Sequence, residues 1–210
     1  MKRYSAGARF YDLLSGERFV YRAGRVAGIQ MLNLRPGDTV FDLGCGTGLN
    51  FPLLVDAVGP NGLVLGLDRS PEMLAMARRR IEVQGYHNVR VIEADATTFD
   101  PAAITRLAGR PINGVIATYA LSVIGEWMPA WVRLTRVVRP GGTISIVDMS
   151  LPTGAAAIFS PLARLMCAFG GADLAAHPWT ELESTGTDVR HRTLRGGHIH
   201  AVAATVPPVE

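Results

Sequence analysis

Short apolar runs, each closed by turn residues, alternate with stretches of helical period along most of this chain. Residues 6–14 and 17–33 have the spacing of two helices, divided near Ser15-Gly16. Arg35-Pro36-Gly37-Asp38 is a turn. Apolar runs at 39–43, 63–67, 89–93, 112–118 and 143–149 predict five short strands. Helices fall between them: one through about residue 57, one ending at Gln84 before Gly85, one over 101–108 and one over 126–138. The second of these has clear entry chemistry, with Ser70 as N-cap, Pro71 at the first helical position and Glu72 facing the positive helix end.

Apolar strands that alternate with helices predict a parallel α/β sheet covered on both faces. The tail breaks the alternation. Residues 155–169 and 173–185 read as helices, the second capped by Gly186, and 188–194 and 198–205 read as two strands joined through Gly196-Gly197. A hairpin of that kind adds an antiparallel end to a parallel sheet.

At 210 residues the chain is long enough for one domain with a full core. An apolar content of 48% and a mean hydropathy of +0.20 suit a packed α/β protein. The net charge is +3 with a pI near 9.2, a mild balance without the basic stripe of a nucleic-acid binder. Cys45 and Cys167 are far apart and read as reduced thiols of a cytoplasmic protein. No signal-peptide stretch follows the N-terminal basic residues, and the most apolar region, 151–171, is broken by Pro152, Pro161 and Arg164.

The strongest chemical signal is Asp42-Leu43-Gly44-Cys45-Gly46-Thr47-Gly48, which follows a strand and opens a helix. Glycines are needed where a ligand lies against bare backbone. A dinucleotide fingerprint would place its third glycine at position 49, which is Leu, and no phosphate loop occurs anywhere. The loop carries no Lys or Arg, which suits a nucleoside cofactor without phosphates. Asp68 ends the second strand, where a carboxylate can accept both ribose hydroxyls, and Ser70 already supplies the helix cap. Asp95, after strand three, could accept from an adenine amino group or be a solvated loop acid.

D-L-G-C-G-T-G, then G-L-D-R-S-P-E-M-L, then E-A-D-A, then R-P-G-G before strand five, together resemble class I S-adenosylmethionine-dependent methyltransferases. The resemblance covers nearly the whole chain. It implies a Rossmann-like fold with a seven-stranded mixed sheet in the order 3-2-1-4-5-7-6, strand seven antiparallel and helices on both faces. It implies that Gly44, Gly46 and Gly48 line the methionine part of the cofactor and that Asp42 orients it. Asp68 would hold the ribose beside Arg69, Asp95 the adenine, and Ala96 would pack near the ring. The entry segment Tyr4, Phe10-Tyr11-Asp12 is similar to that of the ubiquinone/menaquinone C-methyltransferase group. The stretch 117–124 with Trp127, and Gly196-Gly197-His198, look closer to bacterial phospholipid and betaine-lipid N-methyltransferases. In such enzymes residues 1–34 would be lid helices over the domain at 35–210, and Tyr11 would touch the carboxylate end of S-adenosylmethionine.

The acceptor site belongs past the carboxyl ends of strands four and five, near Tyr119, Ser122, Asp148 and Met149. The segment 151–180, with Ile158, Phe159, Leu162, Leu165, Met166 and Phe169, is expected to wall it for a greasy acceptor, core packing being the alternative for any one of these. Arg18, Arg22 and Arg25 fall on one helix face, either solvated or set for peripheral membrane contact at roughly 1 kcal/mol per basic residue. Methyl transfer to an amine or a quinol carbon requires a lost proton, which makes Tyr119, His177, His198 and His200 candidate catalytic residues. His198 and His200 share a strand face by parity. No His/Asp/Glu cluster suggests a metal, and no Asn-Pro-Pro-Tyr motif suggests a nucleic-acid substrate. The expected function is therefore methyl transfer to a small-molecule or lipid acceptor, with a phospholipid-like amine head group preferred. C-methylation of a prenylated quinone, N- or O-methylation of a secondary metabolite, and a non-catalytic S-adenosylmethionine-binding module are the alternatives.

Overall fold

A computed structural model describes residues 21–207. Seven strands form one sheet: β1 (Thr39–Leu43), β2 (Leu63–Asp68), β3 (Val89–Glu93), β4 (Gly114–Thr118), β5 (Thr143–Met149), β6 (Thr187–Leu194) and β7 (Ile199–Thr205). Their order is β3-β2-β1-β4-β5-β7-β6. β1 to β5 run parallel, and β7 pairs antiparallel with both β5 and β6. The expected topology is the observed one.

Seven helices are described: α1 (Arg22–Met31), α2 (Phe51–Val58), α3 (Pro71–Gln84), α4 (Pro101–Ala108), α5 (Met128–Val137), α6 (Ser160–Gly170) and α7 (Trp179–Thr185). Period-two alternation sends neighbouring strand residues to opposite faces. Val40, Val64 and Ile116 pack with Phe51, Leu54 and Leu74 beneath α2 and α3, while Ala27 and Met31 of α1 meet Val147, Ile199 and Ala201. On the other face Phe41, Leu65, Val115 and Ile146 pack with Ile104, Leu134, Trp179 and Leu182 of α4, α5 and α7. α1 lies very close to the sheet. A Cβ at Gly24 would meet the Tyr119 hydroxyl at 2.1 Å, and one at Gly28 would meet Val147 at 2.3 Å.

Where the elements differ from expectation, local chemistry explains it. β4 begins at Gly114 because Asn113 is turned aside: its side-chain oxygen accepts from the Thr39 N–H at 3.0 Å. The helix expected at 155–169 is a 3-10 stretch, Gly154–Phe159, followed by α6, whose Pro161 sits in the first turn where its missing N–H costs nothing. The helix expected at 173–185 is only α7, because Pro178 ends the preceding irregular turn. Gly186 is not a left-handed cap; it is extended at φ −87°, and its bareness admits Ala204, whose Cβ would lie 2.4 Å from a side chain there. The first predicted helix, residues 6–14, lies outside the described residues.

Candidate functional site

The loop from β1 to α2 folds back on the end of β2. Gly44 and Cys45 donate their N–H groups to the Leu67 carbonyl at 2.8 and 2.9 Å, and Gly46 donates to the Asp68 carboxylate at 2.8 Å. Gly44, Gly46 and Gly48 all have left-handed φ, at +71°, +54° and +78°. Their surroundings differ. A Cβ on Gly44 would strike Ala120 at 2.5 Å, and one on Gly48 would strike the Phe51 ring at 2.5 Å. A Cβ on Gly46 would enter open space. That space is a cavity of about 380 Å³ over the carboxyl ends of β1, β2, β3 and β4. Gly44 and Gly46 line it; Gly48 does not, because its bare α-carbon serves the packing of Phe51.

Asp68, Arg69, Asp95 and Ala96 line the far side of the cavity. Asp68 is held from two directions, by Gly46 N–H at 2.8 Å and Ser70 N–H at 2.9 Å, while the Ser70 hydroxyl accepts from Met73 N–H as the cap of α3. Asp95 accepts from the Thr97 hydroxyl at 2.6 Å and the Thr97 N–H at 2.7 Å. These bonds, chiefly the side-chain one, hold it below the usual carboxylate range. Asp95 therefore stands ready as a charged acceptor, and Asp68 faces the same space as a carboxylate fixed by two backbone N–H groups.

Asp42 is placed differently from the expectation. It is fully buried on the α2 face of β1, beneath the cavity and not lining it. Burial raises its pKa to about 7, against the lowering effects of the Asn50 hydrogen bond and the Arg25 charge. One carboxylate oxygen accepts from Asn50 Nδ2 at 2.9 Å, and the other has no hydrogen-bond partner among the described residues. Asn50 also donates to Thr118 at 3.0 Å. Arg25 of α1 joins both, donating to Thr118 at 2.8 Å and Asn50 at 3.1 Å, with its guanidinium 5.2 Å from the Tyr119 ring centroid. Arg25 lines the cavity. Sequence reasoning placed it on a basic helix face, solvated or set for membrane contact; Arg22 of that face is exposed, Arg25 is half-buried, and Arg18 lies outside the described residues. Gly24 and Gly28 were the signal: small residues four apart mark the helix face nearest the sheet.

Tyr119 lines the cavity in a left-handed conformation, φ +54°, which is rare for a bulky residue and typical of functional sites. Its hydroxyl donates to the Tyr21 carbonyl at 2.8 Å, and the two rings meet edge-on at 5.0 Å. Next to it, buried Ser122 gives its N–H and hydroxyl to Asp148 at 3.0 and 2.6 Å. Burial lifts Asp148 to about 6 against those bonds.

The histidines do not converge on the cavity. His198 is buried in the turn before β7, with Nδ1 2.7 Å from the Ser150 carbonyl and Nε2 3.5 Å from the Tyr21 hydroxyl. His177 is exposed beside Trp179. His200 stacks on Trp179 at 4.4 Å, on the sheet face opposite His198, because His198 precedes the strand and escapes its parity. Nor, among the described side chains of 151–180, does any line the cavity: Ile158, Phe159 and Leu165 are 78%, 62% and 55% exposed. Tyr11 lies outside the described residues. No described helix is long and apolar enough to cross a membrane.

A cradle at the carboxyl ends of a doubly wound sheet, with acids ending β2 and following β3, defines a nucleoside-binding α/β protein of the methyltransferase type. The chain belongs to the methyltransferase-domain family, whose pattern it matches over residues 34–183. It is 29% identical over 133 residues to a demethylmenaquinone methyltransferase of Bacillus cytotoxicus, a match covering 63% of this chain and 54% of that protein. It is 35% identical over 118 residues to an arsenite methyltransferase of Halobacterium salinarum, covering 55% of this chain and 28% of that protein. The chain thus spans about half the length, or less, of these curated relatives. Among solved structures, a phosphoethanolamine N-methyltransferase 2 of Haemonchus contortus aligns with a TM-score of 0.73 at 16% identity, over 98% of this chain and 58% of that one. An S-adenosylmethionine-dependent methyltransferase from Aquifex aeolicus aligns with a TM-score of 0.61 at 18% identity, over 91% and 93%. These likenesses are of fold.

Proposed function

We propose that the chain transfers a methyl group from S-adenosylmethionine to a lipophilic small-molecule or lipid acceptor. The observation that carries this is the open space in front of Gly46, faced by the carboxylates of Asp68 and Asp95. A backbone cradle admits the thioether region of an adenosyl compound, Asp68 accepts ribose hydroxyls, and Asp95 accepts from the adenine amino group. When bound, S-adenosylmethionine supplies a methyl group already activated by its sulfonium. The chain's part is alignment, which in favourable intramolecular models is worth roughly 7–11 kcal/mol. Tyr119 places an aromatic wall and Ser122, fixed by Asp148, a rigid turn at the side where the acceptor enters. We assign no general base to His177, His198 or His200, since none lines the cavity.

For the acceptor, the sequence relatives support C-methylation of a prenylated quinol, named as demethylmenaquinone in the Bacillus protein. A phospholipid-type amine has the support of fold likeness alone. The exposed Ile158, Phe159 and Leu165 beside Arg164 suit contact with a membrane from which such an acceptor is drawn. The test is release of S-adenosylhomocysteine by the purified protein with a prenylated quinol, with phosphatidylethanolamine vesicles and with arsenite. Turnover on the quinol alone is the expected result. Binding of S-adenosylmethionine without turnover on any acceptor would leave a non-catalytic binding module.

A further inference from the structure

We propose that His191 and His200 form a proton-operated latch at the edge of the sheet: the pair ties strand β6 to β7 and α7 while it carries one shared proton or none, and a second proton releases the strand. The latch lies outside the cavity and rests on neither the cofactor nor the acceptor assignment.

The cluster is built from four elements. His191 of β6 and His200 of β7 stand on the sheet face covered by α7, with His191 Nε2 2.9 Å from His200 Nδ1. On its other side His191 Nδ1 meets the Glu183 carboxylate of α7 at 2.8 Å. His200 Nε2 lies 3.0 Å from the Ser150 hydroxyl, just past β5, and 3.1 Å from the Gly197 carbonyl in the hairpin turn. The His200 ring lies flat on buried Trp179 of α7, at 4.4 Å and 4°. Among the described residues, the other titratable groups toward it are His177, 4.9 Å from Trp179, and Asp148, its register partner on β5. Asp148 bonds instead to Ser122 and Met149.

The number of protons decides what this chain of bonds tolerates. A carboxylate accepts, so His191 Nδ1 donates to Glu183. A carbonyl also accepts, so the Ser150 hydroxyl donates to Gly197 at 2.7 Å, and His200 Nε2 donates toward both oxygens. One further proton joins the two ring nitrogens that face each other, and Glu183 balances the positive charge this gives the pair. With one proton fewer, His200 donates through Nδ1, the Ser150 hydroxyl turns onto its Nε2, and the bond between the rings survives. With one proton more, both facing nitrogens carry hydrogen, that bond is lost, and like charges stand 2.9 Å apart. Burial first, and then His191, lower the pKa of His200 below 6.5, so the second proton enters on the acid side.

Strand β6 is placed to respond. It is the edge strand, pairs with β7 alone among the described strands, and is exposed along nearly its whole length. Asp188 near its start and Arg195 just past its end have left-handed φ of +51° and +53°, a conformation that persists where the surroundings impose it.

The test is amide hydrogen exchange of the full chain at about pH 7.5 and about pH 5.5, corrected for intrinsic rates, with β1 as internal reference. Protection of β6 relative to β1 should fall roughly tenfold at the lower pH. In His191→Gln the side-chain amide can accept from a protonated His200, and the fall should shrink to within about twofold. His87→Gln, exposed at the opposite edge of the sheet, should keep the wild-type response. Nuclear magnetic resonance titration gives a second readout. His191→Gln should raise the midpoint of His200, because a like charge has gone, whereas a packing role would leave it in place. Equal protection of wild-type β6 at both pH values overturns the proposal. So does a fall of wild-type size in His191→Gln, which would assign the response to Asp148. A His200 midpoint unmoved by His191→Gln overturns it as well.

Discussion

Three glycines of one motif have three different surroundings, Ala120, open cavity and Phe51, and their substitutions should separate binding from stability. Alanine at Gly46 must adopt φ +54°, at a cost of about 1–2 kcal/mol, and its methyl group projects into the cavity. Gly46→Ala is therefore expected to lower cofactor affinity at least tenfold, with a modest loss in melting temperature. Gly48→Ala bears the same backbone strain and also drives a methyl group into the Phe51 ring, a fully buried side chain. It should melt well below Gly46→Ala. Calorimetry and thermal melting of the pair check this; equal melting temperatures would mean that Gly48 has no packing role. The motif was legible in the sequence as a backbone hollow, but the division of labour was not. Which glycine faces Phe51, and which faces the cavity, depends on the turn that Asp68 imposes through the Gly46 N–H.

At the scale of elements, strands and their connecting helices were legible because the chain punctuates them strongly. Ser70-Pro71, Asp100-Pro101 and the left-handed Gly85 and Gly109 mark helix ends with side-chain or backbone hydrogen bonds. Helix α1 was harder. Its amphipathic period is plain, but its inner face contains Gly24, Gly28 and a charge, Arg25, which a hydrophobicity pattern assigns to the outside. The two glycines bring α1 against Val147, Ser145 and Ile199, and only at that distance does Arg25 reach Thr118. Gly28→Leu should therefore have a double effect. Overpacking against Val147 costs about 1–3 kcal/mol, and the helix is pushed outward, withdrawing Arg25 from the cavity. Loss of cofactor affinity together with a lowered unfolding midpoint is the expected outcome. Arg22→Ala, exposed on the same helix, should change neither. A destabilised Gly28→Leu protein with full cofactor affinity would uncouple the two.

Across the whole molecule, the shifted groups oppose one another as pH changes. Asp42, at about 7, and Asp148, at about 6, keep protons in the folded state that their unfolded forms, near 3.8, release earlier. Folding thus binds protons between about pH 4 and pH 7, and their contribution to stability falls as pH rises through that window. His200 acts the other way. Burial, and secondly the neighbouring His191, lowers its pKa below 6.5, so its contribution is lost as pH falls below that value. Each group contributes at most about 1.4 kcal/mol per pH unit. Two fully buried carboxylates outweigh one half-buried imidazole, and the unfolding midpoint should be higher at pH 5 than at pH 7. Asp148→Asn isolates one component. Its absolute stability will differ, since Ser122 and Met149 lose a carboxylate acceptor, but the slope is what matters. Urea denaturation of both proteins at pH 5, 6 and 7 should give a shallower decline for the variant, the remainder coming from Asp42. Parallel lines would show that Asp148 titrates alike in the folded and unfolded chain. The bonds from Ser122 would then offset its burial completely, and the turn beside Tyr119 would rest on a carboxylate charged throughout that range.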